Sequence, residues 1–246
     1  MFGSISRKRI EPAAVPEGCR IYAIGDIHGR SDLLDRLLGL IRKDAAGFRG
    51  VVTLVFIGDY VDRGRDSKGV IDILLEVRTE FATHFLCGNH DRAMLNFLAD
   101  PGTYPGWRNI GGADTLLSYG VAPPASDDGG TLRAVRDKFL RAIPGPHMDI
   151  LNTLEMSVEI GGYYFVHAGV RPGVPLDGQA FLDMMWIRDE FLNSDTDFGK
   201  IIVHGHSPLR KPVRKSNRLS IDTGAYSTGK LTAAVLEGTQ CKFLQP

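Results

Sequence analysis

Three times before Pro101 the chain runs an apolar stretch into a Gly-Asp or Gly-Asn pair and follows it with apolar residues at helical spacing. "CRIYAIGDIHG" leads to Leu33, Leu34, Leu37, Leu38 and Ile41; "VVTLVFIGDYVDRG" leads to Val70, Ile71, Leu74 and Val77; "THFLCGNHD" leads to Met94, Leu95 and Leu98 before Pro101-Gly102. Each unit reads as strand, loop and helix, with Ser31 expected to cap the first helix and Asp66 or Ser67 the second. Three such units in succession imply right-handed crossovers and a mainly parallel sheet, whose loops share the edge where the strands end.

After these units the character changes. From about Tyr104 to Asp149 the chain is rich in Gly, Pro and Ser, then shows a helical pattern at Leu132, Val135, Phe139 and Leu140. This reads as a cap-like excursion, at about 104–149, that covers or walls the site. Apolar runs return at "GYYFVHAG", "GKIIVHGHSP", "RLSIDTGAY" and "KLTAAVLEG". The last two are expected to pair antiparallel through a turn at Ser227 to Lys230, making the sheet mixed or split into two packed sheets. The expected fold class is α/β. Residues 1–18, with Pro12, Pro16 and Gly18, read as a flexible N-terminal arm, and 19–246 as one domain.

Charge and cysteine content narrow the function. Lys plus Arg (29) balances Asp plus Glu (29), so nothing in the overall charge calls for nucleic acid or an anionic membrane as partner. No apolar run reaches the ~18 residues that a membrane span needs. Cys19, Cys87 and Cys241 form neither a disulfide framework nor a zinc pattern, which suits a reducing, cytoplasmic setting.

The strand ends carry the chemistry. They hold "GDIHG" with Asp26 and His28, "GDYVDRG" with Asp59, Asp62 and Arg63, "GNHD" with Asn89 and His90, "VHAG" with His167, and "HGHSP" with His204 and His206. Alone, each has a structural explanation, since Gly-Asp is a common turn pair and a histidine can be a satisfied core residue. Together on one edge, carboxylates and imidazoles would leave like charges and unpaired groups unless a cation sits among them. Asp26, His28, Asp59, Asn89, His167 and one of His204 or His206 make six side chains. That is too many for one open zinc site and suits two metals sharing a carboxylate. The absence of thiolate donors favours two divalent transition ions, manganese first, with iron or zinc also suited.

In this order the motifs resemble the calcineurin-like metallophosphoesterase superfamily, specifically its phosphoprotein phosphatase branch, which includes the bacterial and phage serine/threonine phosphatases. The match runs from Arg20 to about Glu237. The resemblance implies an αββα fold, mixed β-sheets packed as a sandwich flanked by helices, in which Asp26 and His28 hold one metal, Asp59 bridges, and Asn89, His167 and His206 hold the other. It selects His206 over His204, which periodicity along a strand does not separate. It implies His90 as general acid with Asp62 as its partner, Arg63 as a phosphate clamp, and Arg188 in "WIRDEF" as the second clamp arginine. "NIGGADTLLSYG" is similar to a bacterial Asn-Gly-Gly segment but is interrupted by Ile110, so Asn109 is given no role.

The expected activity is hydrolysis of a phosphomonoester by a hydroxide bridging the metals, with a phosphoserine or phosphothreonine protein as the leading substrate and a small phosphoester as the other. The alternative is a dinucleoside polyphosphate hydrolase acting on diadenosine tetraphosphate, because the symmetrical tetraphosphatases resemble the same motif order. A metal-binding protein without turnover is disfavoured because every mechanistic position is filled. His84 and His147 lie outside the clusters and read as structural or exposed. Trp107 and Trp186 read as core or wall, Asp222 as a supporting carboxylate, and the basic stretch Arg210 to Arg218 as a solvated loop.

Overall fold

Burial on both faces explains why the first strands are apolar without alternation. The computed structural model describes residues 13–246. Strand β1 (Cys19–Ile24) sends Ile21 and Ala23 to one side and Tyr22 and Ile24 to the other, and all four are fully buried. Helix α1 (Ser31–Ala45), strand β2 (Val51–Phe56), helix α2 (Ser67–Val77), strand β3 (Ala82–Phe85) and helix α3 (Asn89–Ala99) complete the three units. β1 pairs with β2, and β2 with β3, both in parallel.

Four helices fill the expected excursion: α4 (Tyr104–Asn109), α5 (Gly112–Ser118), α6 (Gly129–Ala142) and α7 (Gly145–Asn152). Then come β4 (Ser157–Ile160), β5 (Tyr163–Val166), the short α8 (Phe181–Trp186) and α9 (Asp189–Leu192), β6 (Ile201–His204), β7 (Val213–Arg214), β8 (Arg218–Ser220), α10 (Ala225–Thr228), β9 (Ala233–Glu237) and β10 (Gln240–Leu244). The strands form two five-stranded mixed sheets, in the orders β10-β9-β1-β2-β3 and β4-β5-β6-β8-β7. Ile21, Val55, Ile57, Phe165, Val203 and Leu219 pack in the layer between them. Helices cover the outer faces, giving the expected αββα order.

Several local expectations change. "RLSIDTGAY" and "KLTAAVLEG" do not pair: β8 runs parallel to β6 in the second sheet, whereas β9 runs antiparallel to β1 in the first. The chain crosses the sandwich through Asp222 to Leu231, so a turn between adjacent strands is replaced by a change of sheet. Ser31 does not cap α1; its hydroxyl bonds to the Asp66 carboxylate at 2.5 Å, and Asp66 caps α2 by accepting from the Gly69 amide. Arg218 is buried in β8 and donates to the carbonyls of Ser194 and Leu192, so the solvated basic loop ends before it. Of the expected arm, residues 1–12 lie outside the described residues. Ala13 to Gly18 are docked, with Val15 buried and its amide bonded to the Gly238 carbonyl at 2.8 Å. No helix among the described residues is long and apolar enough to cross a membrane.

The excursion shares its core with the first sheet's helices. Phe139 of α6 is fully buried against Trp107, Tyr119 and Phe97, with ring centroids 6.0, 5.4 and 6.4 Å away. His147 links α7 to α2, its two nitrogens each 2.9 Å from the Tyr119 hydroxyl and the Asp72 carboxylate. Truncation of Phe139 to alanine is expected to cost about 3–5 kcal/mol, the range for a buried aromatic deletion. Urea unfolding of Phe139→Ala measures it, and a loss below about 1 kcal/mol would show that these helices are not one packing unit with the sheet.

Candidate active site

The polar loops meet where strands of both sheets end. Asp26 and His28 follow β1, Asp59 to Arg63 follow β2, Asn89 and His90 open α3, His167 follows β5, and His206 follows β6. The loops are tied to one another: the amides of His28 and Gly29 donate to the carbonyls of Asp59 and Tyr60, and the Gly205 amide donates to the His167 carbonyl at 2.8 Å. Among the described residues, the non-glycine positions with positive φ are His28, Asp59, Asp62, Arg63 and His206. All five are residues singled out from the sequence. Left-handed backbone in such residues costs on the order of 1–3 kcal/mol each and persists only where the surroundings enforce it.

Asp59 sits at the centre. Its Oδ2 lies 3.4 Å from His28 Nε2 and 3.9 Å from His90 Nε2, and its Oδ1 lies 3.5 Å from His167 Nε2. The two oxygens thus face different groups, His28, Asp59 and His90 on one side and Asp59, His167 and His206 on the other. His28 Nδ1 is 3.0 Å from the Val61 carbonyl and His167 Nδ1 is 2.8 Å from the Ile57 carbonyl. Both Nδ1 atoms therefore donate, which leaves each Nε2 as a bare lone pair aimed inward. Burial keeps these rings neutral, pushing His28 down to about 3 and His206 to about 2 and lowering His167 as well.

These donors fit cations. Asn89 Oδ1, an acceptor, stands 3.0 Å from the lone pair of His167 Nε2 and 2.9 Å from His206 Nδ1. Two acceptors at that separation repel unless something positive lies between them. Asp26 Oδ1 and His206 Nε2 are buried without a partner. Burial, together with the charges of Asp222 and Asp59, pushes the Asp26 carboxyl well above its usual range, so ionising it also calls for a positive neighbour. Space is kept for this at glycines: a Cβ on Gly88 would lie 2.1 Å from Asp59 Oδ1, and one on Gly205 would lie 2.0 Å from Asp26 Oδ1.

His204 and His206 are separated by geometry that strand periodicity could not supply. β6 ends at His204, and the left-handed φ of His206, +62°, turns its ring into the centre. His204 instead bonds Ser220 Oγ at 2.7 Å and packs edge-on against Phe191. His90 Nδ1 is 2.8 Å from Asp62 Oδ2, and its Nε2 is 3.0 Å from Arg63 Nη2. Burial works against a charge on His90, but the Asp59 and Asp62 carboxylates outweigh it and raise its pKa. Arg188 stands on the His206 side, donating to Ser207 Oγ at 3.3 Å.

Three supporting residues were not assigned from sequence. Trp107 Nε1 lies 3.0 Å from both Asp62 oxygens, and Thr115 Oγ1 donates to Asp62 Oδ1 at 2.7 Å, so the excursion holds the partner of His90. Nothing in the local sequence marks either one. Asp91 accepts from the amides of Gly88, Asp59 and Tyr60 at 2.8 to 2.9 Å, clamping the β2 loop to the start of α3. Its position as the third residue of that helix is where an acidic group reaches back to the helix start, a signal that could have found it. Burial beside Asp59 pushes its pKa up to about 8.

A model of the calcineurin-like phosphoesterase family matches residues 19–234. The chain belongs to that family. Among calcineurin-like phosphoesterase relatives, the asymmetrical bis(5'-nucleosyl)-tetraphosphatase PrpE of Geobacillus thermodenitrificans (strain NG80-2) is 27% identical over 236 residues, covering 87% of this chain and 89% of that protein. The serine/threonine-protein phosphatase BSL2 of Arabidopsis thaliana is 35% identical over 91 residues, 36% of this chain and 9% of its own. A solved structure, proposed to be a diadenosine tetraphosphatase, superposes with a TM-score of 0.64 at 21% identity over 96% of this chain and 98% of its own, a likeness of fold.

Replacing Asp91 by alanine strands three buried amides, each worth about 1–3 kcal/mol when left unpaired. Asp91→Ala is therefore expected to unfold in thermal scans well below the wild type, and an unchanged Tm would remove Asp91 as the clamp.

Proposed function

We propose that this calcineurin-like phosphoesterase is a dinuclear metal-dependent hydrolase of dinucleoside polyphosphates, of which diadenosine tetraphosphate is the test case. One observation carries the choice of substrate. The similarity to the tetraphosphatase of Geobacillus covers 87% of this chain and 89% of that one, whereas the similarity to the plant phosphatase covers 36% of this chain. The metal motifs alone do not choose a substrate; the walls do.

Asp26, His28, Asp59, Asn89, His167 and His206 are the residues proposed to hold the two ions, and His and carboxylate donors without thiolate suit manganese, iron or zinc. A bound pair would supply Lewis-acid neutralisation of phosphoryl charge and acidify water. The chain's own residues complete the site. Arg63 and Arg188 approach from opposite sides and are placed to grip phosphoryl oxygens. Asp62, fixed by Trp107 and Thr115, accepts a hydrogen bond from the Nδ1–H of His90 and so points its Nε2 inward. Arg63 now donates to that Nε2, so turning the guanidinium to a phosphate frees His90 to carry a second proton for the leaving group. The three free thiols suit a reducing compartment, and on that ground we place the protein in the cytoplasm.

The buried His90–Asp62 pair favours a second reading, a phosphoprotein phosphatase, because the alkoxide of serine or threonine needs a proton to depart whereas a nucleotide does so less. Metal-reconstituted protein should hydrolyse diadenosine tetraphosphate faster than phosphoserine peptides by at least an order of magnitude in kcat/KM, and the opposite order would establish the phosphatase reading instead. Asp59→Asn should lose on the order of 100-fold or more on either substrate, since both halves of the centre share that carboxylate. Wild-type turnover in that variant would end the two-metal account. His90→Asn should slow alkyl phosphates by roughly 10² to 10⁴-fold and the dinucleotide much less. Equal slowing of both removes His90 as the acid.

A further inference from the structure

Two aromatic rings stand at the rim of the centre, one on each side of Asp59. Trp186 is 46% exposed and meets the His206 ring edge-on with centroids 5.8 Å apart; Tyr226 is 39% exposed and meets His28 edge-on at 5.4 Å. Folding gains little from leaving an indole in water, so an exposed tryptophan beside buried metal-type donors points to a ligand. The two rims differ. The Arg63 guanidinium already lies over the Tyr226 ring, 4.7 Å from its centroid, and the groove there, about 480 Å³, is lined by Arg30, Arg63 and Arg65 together with Asp66 and with Asp32, which pairs with Arg30 at 2.7 Å. Trp186 shares short helix α8 with exposed Phe181 and Leu182, and these wall a groove of about 400 Å³ that reaches Asn89 and holds Arg92, whose guanidinium lies 5.0 Å from the Phe181 ring centroid. One rim carries three arginines against two aspartates, the other an indole and apolar side chains with one arginine, Arg92.

We propose that Trp186 is the platform on which one nucleobase of the substrate stacks, its 5'-phosphate reaching the centre past Asn89 and His206 and the remaining phosphates running on towards Arg63, Arg30 and Arg65. This deepens the dinucleotide reading and rests on it. The occupant is set by the chemistry of the groove: a flat π surface open to solvent, a cavity the size of a nucleoside rather than a protein segment, and a phosphoryl site immediately adjoining. The site has a direction, reading a base at one end and charge at the other.

Intrinsic fluorescence tests this directly, because the chain has two tryptophans and the other, Trp107, is buried. Adenosine 5'-monophosphate should quench the exposed indole of the metal-reconstituted protein, whereas ribose 5-phosphate and inorganic phosphate should not. In Trp186→Leu the quench should vanish and KM for diadenosine tetraphosphate rise roughly tenfold with kcat changed less than about threefold, the size that base–aromatic stacking supports. Trp186→Phe should recover most of that KM, and inhibition by inorganic phosphate should shift less than about twofold in the leucine variant. The proposal is overturned if ribose 5-phosphate binds wild type as tightly as the nucleotide, or if Trp186→Leu loses inorganic phosphate and dinucleotide by the same factor. A protein that hydrolyses phosphoserine peptides and not the dinucleotide would defeat the dinucleotide reading alone; the comparison of adenosine 5'-monophosphate with ribose 5-phosphate would still decide the role of Trp186.

Discussion

The arrangement of this fold turns on one electrostatic constraint: Asp26, Asp59 and Asp222 lie buried close together among His28, His90, His167 and His206. Carboxylates removed from water next to one another are costly, and neutral imidazoles pointing lone pairs at an amide oxygen add to the cost. A sandwich of two sheets can carry such a centre because its strands end at one edge, so that each proposed ligand sits one to four residues beyond a rigid strand. The local price is backbone strain at His28, Asp59, Asp62, Arg63 and His206, held in place by hydrogen bonds between the loops. Strain confined to residues proposed to act on a ligand is consistent with a site held ready before its ions bind.

The helical excursion reaches that centre at Asp62 and at Arg63, which donates to the carbonyls of Ile110 and Gly111. Phe97, Trp107 and Phe139 pack as one aromatic cluster, and from it the Trp107 indole projects onto both oxygens of Asp62. Thr115, on the next helix, occupies one of those oxygens as well. With its acceptor sites largely used, Asp62 has one orientation, and through it so does His90. Packing around Phe139 is thus linked, through Trp107 and Asp62, to the orientation of the His90 ring.

Legibility in the sequence followed how local each cause was. Strand ends, helix faces and the acidic and imidazole clusters are short patterns in which period and composition suffice, so Asp26, His28, Asp59, Asn89 and His167 were visible as a group before any coordinates. His206 needed the family pattern because it lies beyond β6, where strand alternation no longer applies. β8 and β9 read as a hairpin because nothing in residues 221–232 marks a crossing from one sheet to the other. Ser31 illustrates the same limit, since its hydroxyl is taken by Asp66, thirty-five residues away. Trp107 and Thr115 act on Asp62 only through the folded excursion, and a tryptophan in a Gly/Pro-rich stretch carries no sign of its partner.

Substrate choice is the part of function that lies furthest from such patterns. The residues proposed to bind metals concern phosphorus and would serve a phosphopeptide or a nucleotide equally well. Discrimination has to come from what surrounds them, and here the surroundings are unequal: three arginines, two aspartates and a tyrosine already engaged by Arg63 on the His28 side, an exposed indole with Phe181, Leu182 and Arg92 on the His206 side. A phosphopeptide, extended and variable in side chain, gains nothing consistent from one indole at a fixed distance from the centre. A nucleotide does, because its base is always one ribose away from its phosphate. The unequal rims therefore argue for a substrate with an aromatic end and a long anionic tail, and against one defined by a peptide backbone.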